Sequence, residues 1–166
     1  RGLGDVYKRQ ANAQELGKLL GSMADNGLHS AADFDKQISA YQREEMKFRN
    51  EIAELRSKSK IYAATAHNLQ ACRTYKSVWL EYASKPLAQK DTFYKQNEAA
   101  LQTYYRAASQ LDKMGISLGT EPEKVRQLVT ETESRIADLI AELEIVRKTN
   151  QAIQEDKEKV EQIQSG

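Results

Sequence analysis

The sequence predicts an all-α fold of elongated antiparallel helical hairpins that pack as a coiled coil. Of the 166 residues, 30% are charged and only 40% are hydrophobic, which suits thin helical bundles better than a thick globular core. Apolar residues recur in alternating steps of three and four along two long stretches, the spacing of a coiled-coil seam. The prolines and glycines lie outside these stretches and divide the chain into segments.

The N-terminal part of the chain is interpreted as two segments. Residues 1–10 look like the translated adapter sequence that recurs at the ends of unrelated chains, and we interpret them as a non-native or disordered run. Residues 11–26 are predicted to form a short helix, with Gly27 placed where a left-handed C-terminal cap belongs. The apolar stripe of this helix consists of Leu16, Leu19, Leu20 and Met23.

Residues 31–114 are predicted to form a long helix and an antiparallel return helix, with the tip at Pro86. Ser30 is a favourable N-cap, and no glycine or proline occurs between Ser30 and Lys85. Proline stops the long helix, and the short gap that follows predicts an antiparallel return. The polar run 56–60 is a potential break. The seam of the long helix is Phe34, Ile38, Tyr41, Glu45, Phe48, Ile52, Leu55, Ser59, Tyr62, Ala66 and Leu69.

The C-terminal segment, residues 121–163, is predicted to form one coiled-coil helix. Thr120 and Glu123 have the spacing of a capping box, and Pro122 suits the first helical turn. Asn150 falls on the seam, where a polar residue can fix the register at a cost in stability. The seam is Val125, Val129, Thr132, Ile136, Leu139, Leu143, Val146, Asn150, Ile153, Lys157 and Val160.

Motifs typical of catalytic or cofactor sites do not occur in the sequence. Cys72 is the only cysteine, which excludes an intrachain disulfide and a thiolate zinc cluster. The histidines, His29 and His67, lack the spacing of a metal motif. No apolar run reaches the roughly 20 residues of a membrane span. We therefore expect no catalytic residue, no metal, no cofactor and no membrane partner, and a cytoplasmic location.

Five basic residues of the long helix are the candidate DNA-contacting residues. Their side chains could track a phosphate backbone, with an affinity that depends strongly on salt. Interleaved glutamates reduce the local charge, and they favour a solvated helix face with i,i+4 pairs such as Glu54 with Lys58. DNA binding here is expected to be weak. The five residues are Lys47, Arg49, Arg56, Lys58 and Lys60.

Aromatic residues concentrate around the predicted turn and form a candidate partner surface. Exposed rings can stack on unpaired bases or pack against a partner. Rings that lie on apolar stripes can instead close the end of a hairpin as a small core, and the spacing favours this alternative. In that core Trp79 would be substantially buried. Tyr62 and Tyr105 also belong to this aromatic concentration. The candidate surface residues are Tyr75, Trp79, Tyr82, Phe93, Tyr94 and Tyr104.

The order of the segments resembles the C-terminal helical region of bacterial relaxases, the mobilisation nucleases that nick transferable plasmids and integrative elements. A short helix ends at Gly27, a long charged helix runs from Ser30 to Leu69, and a proline-started helix closes the chain. Between them lie tyrosines and a basic, aromatic stretch, although Asn97 stands where the family leads us to expect histidine. The matching residues are Tyr75, Tyr82, Lys90-Asp91-Thr92-Phe93-Tyr94, Leu101, Tyr104, Ala107-Ala108 and Leu111.

The resemblance implies a non-catalytic helical tail of a DNA-mobilisation relaxase, because the nucleophilic tyrosine and the histidine triad of the family have no counterpart here. Such a tail would act as a scaffold for relaxosome assembly, bind partners or contact DNA weakly. The implied partners are a relaxase catalytic domain on the same chain, relaxosome or coupling proteins, and DNA. The alternative is a structural coiled-coil interaction or dimerisation module of an unrelated cytoplasmic protein, with homodimeric seams.

Overall fold

The structure, a computed structural model, describes residues 31–165, and the predictions for residues 1–10 and 11–26 lie outside them. Four helices are present in the described part, and no strand occurs there: α1, Ala31–Ser84; α2, Leu87–Gln96; α3, Glu98–Lys113; and α4, Pro122–Ser165. The predicted all-α class is confirmed, and the packing of long helices fits helical hairpins. The described residues form two compact units, 31–52 with 138–165, and 53–137.

The long helix α1 continues without interruption for 54 residues, including the polar run 56–60 that the sequence suggests as a break. Every seam position from Phe34 to Leu69 is buried or half-buried, because the three-four spacing keeps these side chains on one side. The helix ends before Pro86, which lacks a backbone N–H. Ser84 Oγ donates a hydrogen bond to the carbonyl of Glu81, 2.8 Å away, within the last turn.

The return segment consists of two helices, whereas the sequence predicts one. Asn97 has φ −126° and ψ 24°, so the helical path stops there and restarts at Glu98. The Asn97 backbone N–H donates to the carbonyls of Phe93 and Tyr94, each 3.1 Å away, and its Nδ2 donates to that of Phe93 at 3.0 Å. The Asn97 carbonyl accepts from the N–H of Leu101 at 3.0 Å. One asparagine therefore closes α2 and opens α3.

A small apolar core holds the second unit together. Leu69, Leu101 and Leu111 are each at most 1% exposed, and burial of a leucine stabilises a fold by about 1.5–3 kcal/mol. Leu69 of α1 and Leu111 of α3 belong to one buried cluster, and Trp79 stacks on Tyr104 nearer the turn, so the two helices run antiparallel. The buried cluster comprises Ala66, Leu69, Cys72, Ala107, Leu111 and Val125.

The connection from α3 to α4 begins with a Schellman motif. The N–H of Gly115 donates to the carbonyl of Asp112 at 3.0 Å, and the N–H of Ile116 donates to that of Leu111 at 2.9 Å. Gly115 has φ +69°, a left-handed conformation that is costly for other residues. In the predicted capping box, the Glu123 carboxylate accepts a hydrogen bond from Arg126 at 2.7 Å.

The first unit is built around Phe34, which is 1% exposed and packs with Val160. Ile153 and Ile163 cover this pair, and Lys157 forms a salt bridge with Asp35 beside it. All seam positions of α4, from Val125 to Val160, are buried or half-buried.

None of the helices within residues 31–165 combines the length with the apolar character that crossing a bilayer requires.

Candidate partner-binding surface at the Pro86 turn

The Pro86 turn brings the end of α1 against α2. Pro86 has φ −60° and ψ 150°, an extended conformation that interrupts the helical path between α1 and α2. Its carbonyl accepts a hydrogen bond from the N–H of Gln89 at 2.8 Å, which starts α2. The N–H of Lys85 donates to the carbonyl of Tyr82 at 3.2 Å. These short-range bonds set the positions of the aromatic side chains on both sides of the turn.

Tyr82 is the centre of the aromatic cluster. Its ring centroid lies 6.0 Å from that of Trp79, 6.4 Å from that of Phe93 and 6.1 Å from that of Tyr94. Trp79 in turn stacks on Tyr104 with a centroid distance of 4.9 Å and an interplanar angle of 21°. Aromatic pairs at these separations add about 0.5–1.5 kcal/mol each beyond the area they bury. The rings of α1, α2 and α3 therefore form one connected array.

Two lysines lie over rings of this array. Lys85 Nζ is 5.3 Å from the centroid of Phe93, and Lys90 Nζ is 5.2 Å from that of Tyr82. At partly exposed positions a cation–π contact of this kind contributes about 0.5–1 kcal/mol. The contacts also keep two positive charges directly on the aromatic surface, where an anionic ligand would meet them.

The six aromatic residues predicted from the sequence are half-buried. Trp79 is among them, so it is largely but not completely covered. Phe93 and Tyr94 of α2 contact the Tyr82 ring of α1, although no residue of α2 is itself buried. Tyr75 is half-buried as well and lies apart from the ring contacts described above.

An open cleft of about 430 Å³ lies beside the array. Its walls include Tyr105, an aromatic residue near the turn that is not among the six candidate surface residues, and Arg106, which the sequence analysis does not select. Tyr105 is 63% exposed, and it follows Tyr104 directly, so it points away from the apolar stripe that contains Tyr104. The sequence feature that could have identified these two residues is an aromatic residue just off the apolar stripe and next to an arginine. The complete lining is Trp79, Tyr82, Tyr94, Leu101, Gln102, Tyr105 and Arg106.

A second cavity, of about 480 Å³, borders Cys72 and Tyr104 at the start of α4. Burial raises the pKa of the Cys72 thiol. Burial also raises the pKa of the Tyr104 hydroxyl, and interaction with Cys72 raises it further. Both groups are therefore neutral at neutral pH. A neutral, buried thiol is a poor nucleophile, so this cavity does not favour thiolate chemistry.

The five candidate DNA-contacting residues are all exposed, but they do not share one face of α1. In the first unit, Lys47 and Arg49 are two positions apart, which places them on nearly opposite sides of the helix. In the second unit, Arg56 and Lys60 are four positions apart and share a face, whereas Lys58 lies on the opposite side. Arg49 Nη2 also lies 3.9 Å from the Glu45 carboxylate. The five basic residues are therefore divided between opposite sides of the helix.

Metal-binding clusters of three or more histidine, cysteine, aspartate or glutamate side chains are not found in residues 31–165. His67 is an exposed residue of α1, and His29 lies outside the described range. Comparison of the chain with protein-family models, curated proteins and solved structures finds no match. The functional argument therefore rests on the geometry of the chain itself.

Proposed function

We propose that the chain is a non-catalytic helical tail of a DNA-mobilisation relaxase that acts in the cytoplasm as a scaffold for relaxosome assembly. The observation that carries the proposal is the half-buried array of Trp79, Tyr82, Phe93, Tyr94 and Tyr104, held on three helices beside an open cleft. Protein-binding surfaces are enriched in aromatic residues that are rigidly held before binding. The relaxase assignment itself is supported by the sequence resemblance.

The scaffold function requires that the surface be preformed. The connected ring contacts and the bond from Gln102 Nε2 to the Tyr94 hydroxyl, 3.2 Å long, restrict the rotamers of these residues. A partner that binds such a surface loses less conformational entropy than one that must order it first. A relaxosome or coupling protein, or the relaxase catalytic domain on the same chain, is the expected partner.

The proposal is tested first by the genomic sequence upstream of the region encoding this chain. A histidine-triad nuclease domain in the same reading frame supports the relaxase assignment, and a different upstream domain contradicts it. The purified chain should also fail to nick plasmid DNA in the presence of Mg²⁺ or Mn²⁺. Site-specific nicking that is abolished by a tyrosine-to-phenylalanine substitution in this chain would overturn the non-catalytic proposal.

The second candidate is an interaction or dimerisation module of an unrelated cytoplasmic protein. Ile145 and Ile140 of the first unit favour it, because they remain 66% and 44% exposed on a helix whose seam is already covered. Analytical ultracentrifugation distinguishes this case. A dimer that Ile145→Lys dissociates, while Lys148→Glu does not, supports the module. A monomer at all concentrations contradicts it.

A further inference from the structure

The cleft at the turn combines ring walls with an uncompensated positive charge. Tyr105 and Trp79 line it together with Arg106. Arg106 makes no ion pair with any carboxylate in the described part of the chain. From this combination we propose that the cleft binds an unpaired base of single-stranded nucleic acid, with Arg106 against the adjoining phosphate. The inference adds a ligand to the proposed scaffold, and it rests on that proposal only in placing the contact surface at the turn.

The local charge selects an anionic ligand over other ligands that bind aromatic clefts. Residues 73–106 contain six basic and three acidic side chains, a net charge of +3, whereas the whole chain carries +1. Lys85 and Lys90 add charge directly at the ring faces. A quaternary ammonium ligand would be repelled by this field, and a proline-rich peptide would gain nothing from it. Phosphates next to a stacked base would be attracted.

The geometry of the walls suits a single flat ring. The cleft volume of about 430 Å³ falls within the range of small-ligand sites, about 300–1,000 Å³. Trp79 is supported by the stacked ring of Tyr104, which does not itself line this cleft, so Trp79 is a firm wall. Exposed Tyr105 can close on a base without loss of core packing. Bases inside a duplex already stack on their neighbours, so the ligand must be unpaired.

The polar groups of the cleft indicate little preference among bases. The Gln102 amide nitrogen already donates to the Tyr94 hydroxyl at 3.2 Å and to Glu98 Oε1 at 3.1 Å. The Gln102 Nε2 group is engaged in this way, so it is not available to donate to the edge of a base. Recognition then depends on stacking and on phosphate charge, both of which tolerate any base.

Trp79 provides the direct test, because it is the only tryptophan and lines the cleft. The full 166-residue chain is titrated with a short oligothymidylate while tryptophan fluorescence is followed. The fluorescence should be quenched in a saturable manner. An abasic oligonucleotide of equal length and a DNA duplex should not produce this quenching. An oligouridylate shows whether RNA is bound equally well. Equal quenching by the abasic strand would overturn base stacking.

Two substitutions at the cleft and two matched controls locate the site. Tyr105→Ala should weaken oligothymidylate binding about five-fold or more, the loss expected for one stacking partner. Arg106→Gln should lower the slope of log K against log salt concentration by about 0.7, one phosphate contact on a single strand. Leu80→Ala, an exposed apolar residue outside the cleft lining, and Arg147→Gln, an equal change in charge outside both the cleft lining and the five candidate DNA-contacting residues, should leave each readout unchanged.

Each outcome separates this inference from the proposed function. If Tyr105→Ala and Leu80→Ala weaken binding equally, or if oligothymidylate does not bind, the base-binding cleft is wrong even when a nuclease domain lies upstream. If a proline-rich peptide quenches Trp79 and the oligonucleotide does not, the ligand assignment is likewise overturned. Quenching that follows the expected pattern beside a different upstream domain would retain the cleft and reject the relaxase assignment. Circular dichroism confirms that each variant remains helical.

Discussion

The indole of Trp79 stacks on the phenol ring of Tyr104 at a centroid distance of 4.9 Å, and this pair joins the end of α1 to α3. The contact connects two kinds of environment. Leu111, on the same helix as Tyr104, is 0% exposed and lies away from the cleft lining, whereas Trp79 borders the open cleft. The stack therefore couples the stability of the second unit to the shape of its candidate binding surface.

Substitution of Trp79 should destabilise the second unit moderately. A fully buried tryptophan costs about 3–5 kcal/mol when replaced by alanine. Because Trp79 is only half-buried, we expect Trp79→Ala to lower the free energy of unfolding by about 2 kcal/mol, as measured by urea denaturation. Leu80→Ala serves as the control and should cost less than 1 kcal/mol. Equal losses would mean that the stack on Tyr104 contributes nothing specific.

Alkaline pH should destabilise the fold through Cys72 and Tyr104. Burial raises the pKa of both groups above their ordinary values, 9.0 for the thiol and 10.0 for the phenol. The folded state therefore holds these protons more tightly than the unfolded state does. The stabilisation is complete below about pH 9 and is lost as the pH rises further. The Cys72→Ala variant should show a smaller fall in unfolding free energy between pH 8 and about pH 11.

The same burial should protect Cys72 from alkylation. Only the thiolate reacts rapidly, and both a raised pKa and 3% exposure limit its formation and access. Iodoacetamide should label the native chain at pH 8 far more slowly than the urea-unfolded chain, as followed by mass spectrometry. Fast labelling of the native chain would show that the α1–α3 contact opens frequently.

Removal of the Thr65 hydroxyl should stabilise the fold. Thr65 is 4% exposed, and its Oγ1 has no hydrogen-bond partner. An unsatisfied buried polar atom costs about 1–3 kcal/mol, so Thr65→Val should raise the free energy of unfolding by about 1 kcal/mol. Thr132→Val is the matched control, because the Thr132 hydroxyl donates to the Leu128 carbonyl at 2.7 Å. A loss of stability in Thr65→Val would indicate a bridging water.

Replacement of Asn150 by an apolar residue should raise the stability of the fold and lower the specificity of helix pairing. It is 4% exposed on the α4 seam, and its Oδ1 has no partner. Asn150→Val should raise the thermal midpoint, since an apolar side chain restores the seam at this position. Size-exclusion chromatography with light scattering should then detect a broader range of association states. An unchanged monodisperse profile would mean that this asparagine does not select the pairing.

The helical seams and the aromatic residues at the turn could be predicted from the sequence, whereas the walls of the cleft could not. The spacing of apolar residues from Phe34 to Leu69 and from Val125 to Val160 predicts which side of each helix is buried, because periodicity is a local property of the sequence. The interruption at Asn97 was missed because this residue also fits the stripe that includes Phe93.

The exposure of Trp79 and the walls of the cleft depend on tertiary packing. Trp79 stays half-buried, with Tyr104 stacked against it and the open cleft beside it. Arg106 reaches the cleft through its position one residue beyond Tyr105, on a side of α3 that a search for apolar stripes ignores. These features follow from where helices end, which is the least predictable property of a sequence.

The helix interruption at Asn97 allows α2 and α3 to change independently. Leu101, Ala107 and Leu111 of α3 are buried, and α2 is connected to them through one residue outside helical geometry. Substitutions at or near Asn97 can change the orientation of α2, and with it Phe93 and Tyr94, while the buried residues of α3 stay unchanged. Ligand preference at the turn can therefore diverge between related chains without a new core having to be assembled.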